Sequence, residues 1–144
     1  GYGALKIAMK HPELYGSVAA TSPIILLGNN PIELVNSSNR INFFHRLFTQ
    51  VFGLPFDQAH WKKNSIEVLA RSENLEDLKI YLAYGTADRF ADAFPMRQGI
   101  ETVGEILSER GFSNVLKIFE GEPHGWELIH NHIEEMLQFL TQKF

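Results

Sequence analysis

The chain has 144 residues, 44% of them hydrophobic and 21% charged, which fits one globular domain or part of a larger one. Its formal net charge of −4, without a basic run, argues against nucleic acid as a partner, because phosphate binding needs clustered Lys and Arg. There are no cysteines, so thiolate metal sites and disulfides are excluded, and the longest apolar stretch, Ile80 to Tyr84, is far short of a membrane span.

Gly3 to Lys10 reads as a short helix. Ala4, Leu5, Ile7, Ala8 and Met9 leave only Lys6 and Lys10 as a polar stripe, so the helix is expected to be buried on most sides. Pro12 stops it. Gly16 to Ser22 is small and β-compatible, closed by Pro23, and is predicted as a short buried strand. Residues 24–64 are irregular, with a lid-like insertion at 29–64 rich in Asn, Ser and Pro. Within it, Ile41 to Phe52 places Phe44, Leu47, Phe48 and Val51 on one helical face, widened by Phe43 and Phe52, and Gly53 and Pro55 end it. Ser65 is the expected N-cap of a helix that buries Ile66, Val68, Leu69 and Ala70.

Lys79 to Tyr84 is a near-continuous apolar run before Gly85, as a parallel strand buried on both faces reads. Pro95 to Arg110 is predicted helical, with Ile100, Val103 and Leu107 inward and Gly111 at its C-terminal cap. Val115 to Phe119 is the next strand. Trp126 to Phe144 is the strongest helix, with Trp126, Ile129, Ile133, Met136, Leu137, Leu140 and Phe144 on the 3.6-residue period. Strands alternating with helices predict an α/β fold with a parallel sheet of about three strands. A sheet that thin should need a partner along one edge.

In such sheets, functional groups sit on loops at the carboxyl ends of strands. Two loops qualify. YGTADRFADAFP follows the 79–84 strand and carries Asp88; EGEPHGWE follows the 115–119 strand and carries His124. Asp followed by His, each after a strand and a turn, is the order in which the acid and the base follow the serine in an α/β-hydrolase triad. A serine hydroxyl is a weak nucleophile until a base takes its proton. A histidine with pKa near ~6.5 can be that base, and a carboxylate behind it fixes the tautomer. Taken singly, each residue has a plainer reading: Asp88 as a turn former and His124 as an exposed helix cap. It is their order and setting together that point to chemistry. Asp92 and Glu122 are neighbouring carboxylates. Asp92 is expected to cap the next helix, and Glu122 is too near His124 in sequence to approach the ring from behind. His124, His130 and His132 lack the i, i+4 spacing of a helical ligand pair, so no metal or cofactor is expected. Gly111-Phe112-Ser113-Asn114 starts like a Gly-x-Ser-x-Gly elbow but runs from helix into strand, the reverse of an elbow, so Ser113 reads as a loop residue.

The opening GYGALKIAMKHPELYGSVAATSP resembles the stretch just after Gly-x-Ser-x-Gly in the α/β-hydrolase family of esterase D, S-formylglutathione hydrolase and tributyrin esterase. FGLPFDQAHWKKNS, YGTADRF and EGEPHGWELIHNHIEEMLQFL resemble further segments of the same family, so the similarity covers most of the chain. The resemblance implies that residues 1–144 are the C-terminal part of a single α/β-hydrolase domain, supplying the last three strands of an eight-stranded sheet. It implies a nucleophilic serine upstream of Gly1, Asp88 as the acid, His124 as the base, and no ester turnover by this chain alone. The implied partner is a small-molecule ester. A thioester such as S-formylglutathione, or acyl transfer to an alcohol, would use the same residues. Trp126 could line the substrate pocket or staple the last helix to the core. The Phe43 to Phe52 patch could be a core helix, a lid, or a contact in a homo-oligomer, with core as the default. A different class also fits the sequence: a non-catalytic α/β module that binds a partner through the aromatic patch.

Overall fold

The computed structural model describes residues 1–28, 42–90 and 95–142. Three parallel strands form a sheet in the order β1-β2-β3: β1 (Ser17–Thr21), β2 (Lys79–Gly85) and β3 (Asn114–Phe119). β2 is central and buried along its whole length, which is why its sequence is apolar on both faces. Thr21 pairs with Ala83 and Gly85 with Phe119, so the carboxyl ends of all three strands lie at one rim.

Alternation along β2 divides the core in two. Ile80, Leu82 and Tyr84 join one cluster, with Leu5 and Met9 of α1 (Tyr2–Lys10) and Ile100, Val103 and Leu107 of α5 (Met96–Glu109). Tyr81 and Ala83 face the other way and pack on Leu128 and Met136 of α6 (Trp126–Thr141). Helices therefore cover both faces, as the strand–helix alternation predicts. The irregular part contributes α2 (Asn42–Phe52), α3 (Gln58–Asn64) and α4 (Ile66–Ser72). Ser65 caps α4 as expected, its hydroxyl accepting from Val68 N–H at 3.5 Å, and Asp57 caps α3 in the same way through His60 N–H at 2.8 Å. Gly111 follows α5 with φ +74°, the left-handed conformation that ends a helix there.

Three helix readings shift. α1 leaves Ile7 48% exposed, so it is buried on one side only. Among the described side chains of α2, which exclude Phe43 and Phe44, the inward ones are Phe48 and Phe52, one turn apart, while Leu47 and Val51 stand exposed. On α6 the buried residues are Leu128 and Met136; Trp126, Ile133 and Leu137 are exposed. The 3.6-residue period is present on α6, but the helix is apolar around more than one face, and the sheet takes the Leu128–Met136 side. Among the described residues, no helix is long and apolar enough to cross a membrane. Asp92 and Phe144, like the whole 29–41 stretch of the insertion, lie outside the described residues.

Candidate functional site

The loops after β2 and β3 are joined before any functional side chain is placed. Thr86 N–H donates to Phe119 C=O at 2.9 Å, Ala87 N–H to Glu122 C=O at 3.1 Å, and Gly121 N–H to Thr86 Oγ1 at 2.8 Å. Gly85 permits this approach: a Cβ there would stand 2.0 Å from the carbonyl oxygen of Glu122. Gly125, with φ +118°, turns the chain from the second loop into α6.

Asp88 closes the first turn, its N–H donating to Gly85 C=O at 3.2 Å, and it is fully buried. Its Oδ1 accepts from Phe90 N–H at 2.9 Å, which orients the carboxylate from below. Its Oδ2 meets His124 Nδ1 at 2.7 Å. The Phe90 ring stands edge-on to the imidazole, with centroids 4.8 Å apart at 68°, and walls the pair on one side. A carboxylate only accepts hydrogen bonds, so it favours the neutral tautomer with the proton on Nδ1 and the lone pair on Nε2. Among the described residues Nε2 has no hydrogen-bond partner, and the His124 side chain is 35% exposed. One face of the pair is thus anchored and the other is open to a reacting group. An imidazole held in this way can take up a proton and return it.

The two residues singled out from sequence therefore meet, on adjacent strand ends. The competitors go elsewhere. The Glu122 carboxylate accepts from Asn131 Nδ2 at 3.0 and 3.2 Å and lies 3.4 Å from His132 Nε2, and the His132 ring stacks on Phe119. Glu122 thereby ties the His124 loop to α6 instead of approaching His124. Ser113 sits in the turn into β3, its carbonyl accepting from Ile80 N–H at 3.0 Å. Trp126 is 82% exposed and borders a shallow groove with Ile129, His130 and Ile133, so it does not staple α6 to the core. Among the described residues, no three His, Asp or Glu side chains group as metal ligands.

Ser22 is a feature that sequence reasoning passed over. It leaves the carboxyl end of β1 with φ +43°, its N–H donates to Ala83 C=O at 2.7 Å, and its buried hydroxyl has no partner among the described residues. Ser before Pro reads only as the end of a strand; a positive φ at a non-glycine residue has no one-residue signature. Gly1 packs beside it, where a Cβ would stand 2.6 Å from the Thr21 carbonyl oxygen.

Comparison with known proteins places the fold. The S-formylglutathione hydrolase of Paracoccus denitrificans (strain Pd 1222) is 24% identical over 143 residues, covering 99% of this chain and 45% of the relative. The solved structure of an S-formylglutathione hydrolase from Agrobacterium tumefaciens superposes with a TM-score of 0.71 at 21% identity, covering 96% of this chain and 44% of that one. Carboxyl esterase 2 from Tuber melanosporum superposes with a TM-score of 0.56 at 15% identity, covering 96% of this chain and 47% of that one. The chain thus spans about half the length of the relatives it matches, and the fold is that of α/β-hydrolase-like esterases. The family described as Putative esterase matches residues 1–144, and this chain belongs to it.

Proposed function

We propose that the protein carrying this chain is a serine esterase in which Asp88 and His124 complete a Ser-His-Asp triad, with the nucleophilic serine upstream of Gly1. The observation that carries this reading is the 2.7 Å bond between His124 Nδ1 and the buried Asp88 carboxylate, at the ends of neighbouring parallel strands. In the forward step the serine oxygen bonds to the ester carbonyl carbon and its proton passes to His124 Nε2. The carbon–oxygen bond to the alcohol then breaks, and that proton goes to the departing oxygen. Water repeats the sequence on the acyl-enzyme, releasing the acid and restoring the serine. Asp88 keeps the imidazole in the productive tautomer and stabilises the imidazolium. Trp126, exposed two residues past His124, offers an aromatic face to the departing alcohol.

A thioester substrate is the second reading. It is favoured by two relatives that are S-formylglutathione hydrolases, and it uses the same steps with sulfur leaving. The test is active-site labelling of the whole protein with a fluorophosphonate, followed by peptide mapping, alongside p-nitrophenyl acetate turnover. A single labelled serine N-terminal to Gly1 is expected, with no label within residues 1–144 and no turnover by residues 1–144 alone. Label on Ser22 or Ser113 would move the nucleophile. Neither label nor turnover would favour a non-catalytic binding module.

A further inference from the structure

A cavity of about 250 Å³ lies beside the rim, walled by Tyr2, Ile24, Leu47, Phe48, Phe52 and Trp61, with Leu26 and Val51 completing it. Ile24 follows Ser22 and Pro23, which leave β1 at the same end of the sheet as Asp88 leaves β2. The two polar atoms on its wall are already occupied. The Tyr2 hydroxyl donates to Asn64 C=O, and Trp61 Nε1 donates to Gly28 C=O at 3.1 Å. Burial pushes the Tyr2 phenol up to about 12, so it stays neutral. Among the described residues the wall offers carbon and no hydrogen bond, and Leu47 and Val51 are left 42% and 52% exposed on it.

We infer that this cavity holds the acyl chain of the ester, and that the acyl group is a hydrocarbon longer than formyl or acetyl. This rests on the esterase reading above. The assignment to the acyl side follows from the steps of the reaction. The acyl group stays on the serine, and Tyr2 lines the cavity from the helix that follows the proposed serine. The alcohol receives its proton from His124 and leaves on the side of β3. The size follows from the volume. A dry apolar cavity of about 150 Å³ takes up benzene, so this one has room for roughly six to ten carbon atoms. Each buried methylene is worth about fourfold in binding, so chain length should be read strongly.

The experiment measures kcat/KM of the whole protein on p-nitrophenyl acetate, butyrate, hexanoate and octanoate, for the parent and for Val51→Trp and Leu47→Trp. Both positions are exposed, so the bulk of Trp enters the cavity without breaking the core. The parent should prefer hexanoate to acetate by about tenfold or more. Each Trp variant should lose most of that preference, read as the ratio of hexanoate to acetate kcat/KM within the same variant. Inhibition by methylboronic and pentylboronic acids, whose boron takes the place of the acyl carbon, should show the same preference and the same loss. A flat chain-length profile, or a preference that the Trp variants leave unchanged, would overturn the inference with the esterase reading intact. So would chain-length sensitivity that appears for hexyl acetate and not for methyl hexanoate. Absence of turnover on all four esters in the parent would instead remove the esterase reading, and this inference with it.

Discussion

The two sides of the rim are built from different forces. On the β2–β3 side, the loops are held by directional bonds: two backbone links between them, a third from Gly121 N–H to the Thr86 hydroxyl, and an Asp88 carboxylate whose two oxygens each have a partner. On the β1 side, α2 and α3 are held by ring packing. Phe52 meets Trp61 edge-on with centroids 5.1 Å apart, and Phe48 stacks on Phe52 at 5.9 Å. Directional bonds fix atoms to fractions of an ångström, as proton transfer between fixed partners requires. Apolar packing fixes volume and tolerates exchange of one hydrocarbon for another. The division teaches that substitutions on the first side should change the rate of every substrate alike, whereas substitutions on the second should change which substrate is preferred.

The sharpest way to break that comparison is at the pair itself. His124→Ala in the whole protein should lower kcat on p-nitrophenyl acetate by about a millionfold. Asp88→Asn should lower it by about ten-thousandfold, because the amide can hold the imidazole in the wrong tautomer. Both losses should be the same for acetate and hexanoate. Steady-state kinetics on the two esters checks this, and a loss that depends on acyl length would erase the division. Next in size is Gly85→Ala. The added methyl meets the Glu122 carbonyl at 2.0 Å, so the two loops must separate or the strand end must shift. A destabilisation of about 3 kcal/mol in urea unfolding is expected, accompanied by loss of turnover on every ester. A Gly85→Ala protein with native stability would show that the loop contact is loose.

The same division explains what was legible in the sequence. The parallel sheet and the Asp88–His124 pair could be read because each rests on a short local signal: an apolar run, a Gly turn, then one polar residue just beyond it. Two strands joined by a single helix are neighbours in most α/β folds, so the meeting of residues 88 and 124 followed from topology. The aromatic side was harder. A stripe of Phe, Leu and Val has one appearance in sequence whether it lines a cavity or fills a core. Only packing revealed that Phe48 and Phe52 turn inward while Leu47 and Val51 do not. α6 misled for the same reason: Trp126, Ile133 and Leu137 keep the helical period with Met136, and the sheet covers Met136 together with Leu128. Ser22 was invisible because its distinguishing property is a backbone angle.

The smallest expected effect lies where the two kinds of force touch, at Tyr2. Its ring lines the cavity and its hydroxyl donates to Asn64 C=O. Burial raises its phenol to about 12, and the same cause raises Tyr81 and Tyr84, the latter helped by its 2.5 Å bond to Glu101. A phenol whose folded pKa exceeds the ordinary value of about 10 contributes stability that is complete below pH 10. Above that pH the unfolded chain releases the proton first, and the contribution falls away as pH rises toward 12. Tyr2→Phe should cost about 1 kcal/mol at neutral pH, for one hydrogen bond. It should also make the alkaline loss of stability between pH 10 and 12 shallower, leaving the parts due to Tyr81 and Tyr84. Urea unfolding at a series of pH values measures both. Because the ring remains, the ratio of hexanoate to acetate turnover should not move. A changed ratio would mean that the hydroxyl, and not the hydrocarbon wall, selects the substrate on the β1 side.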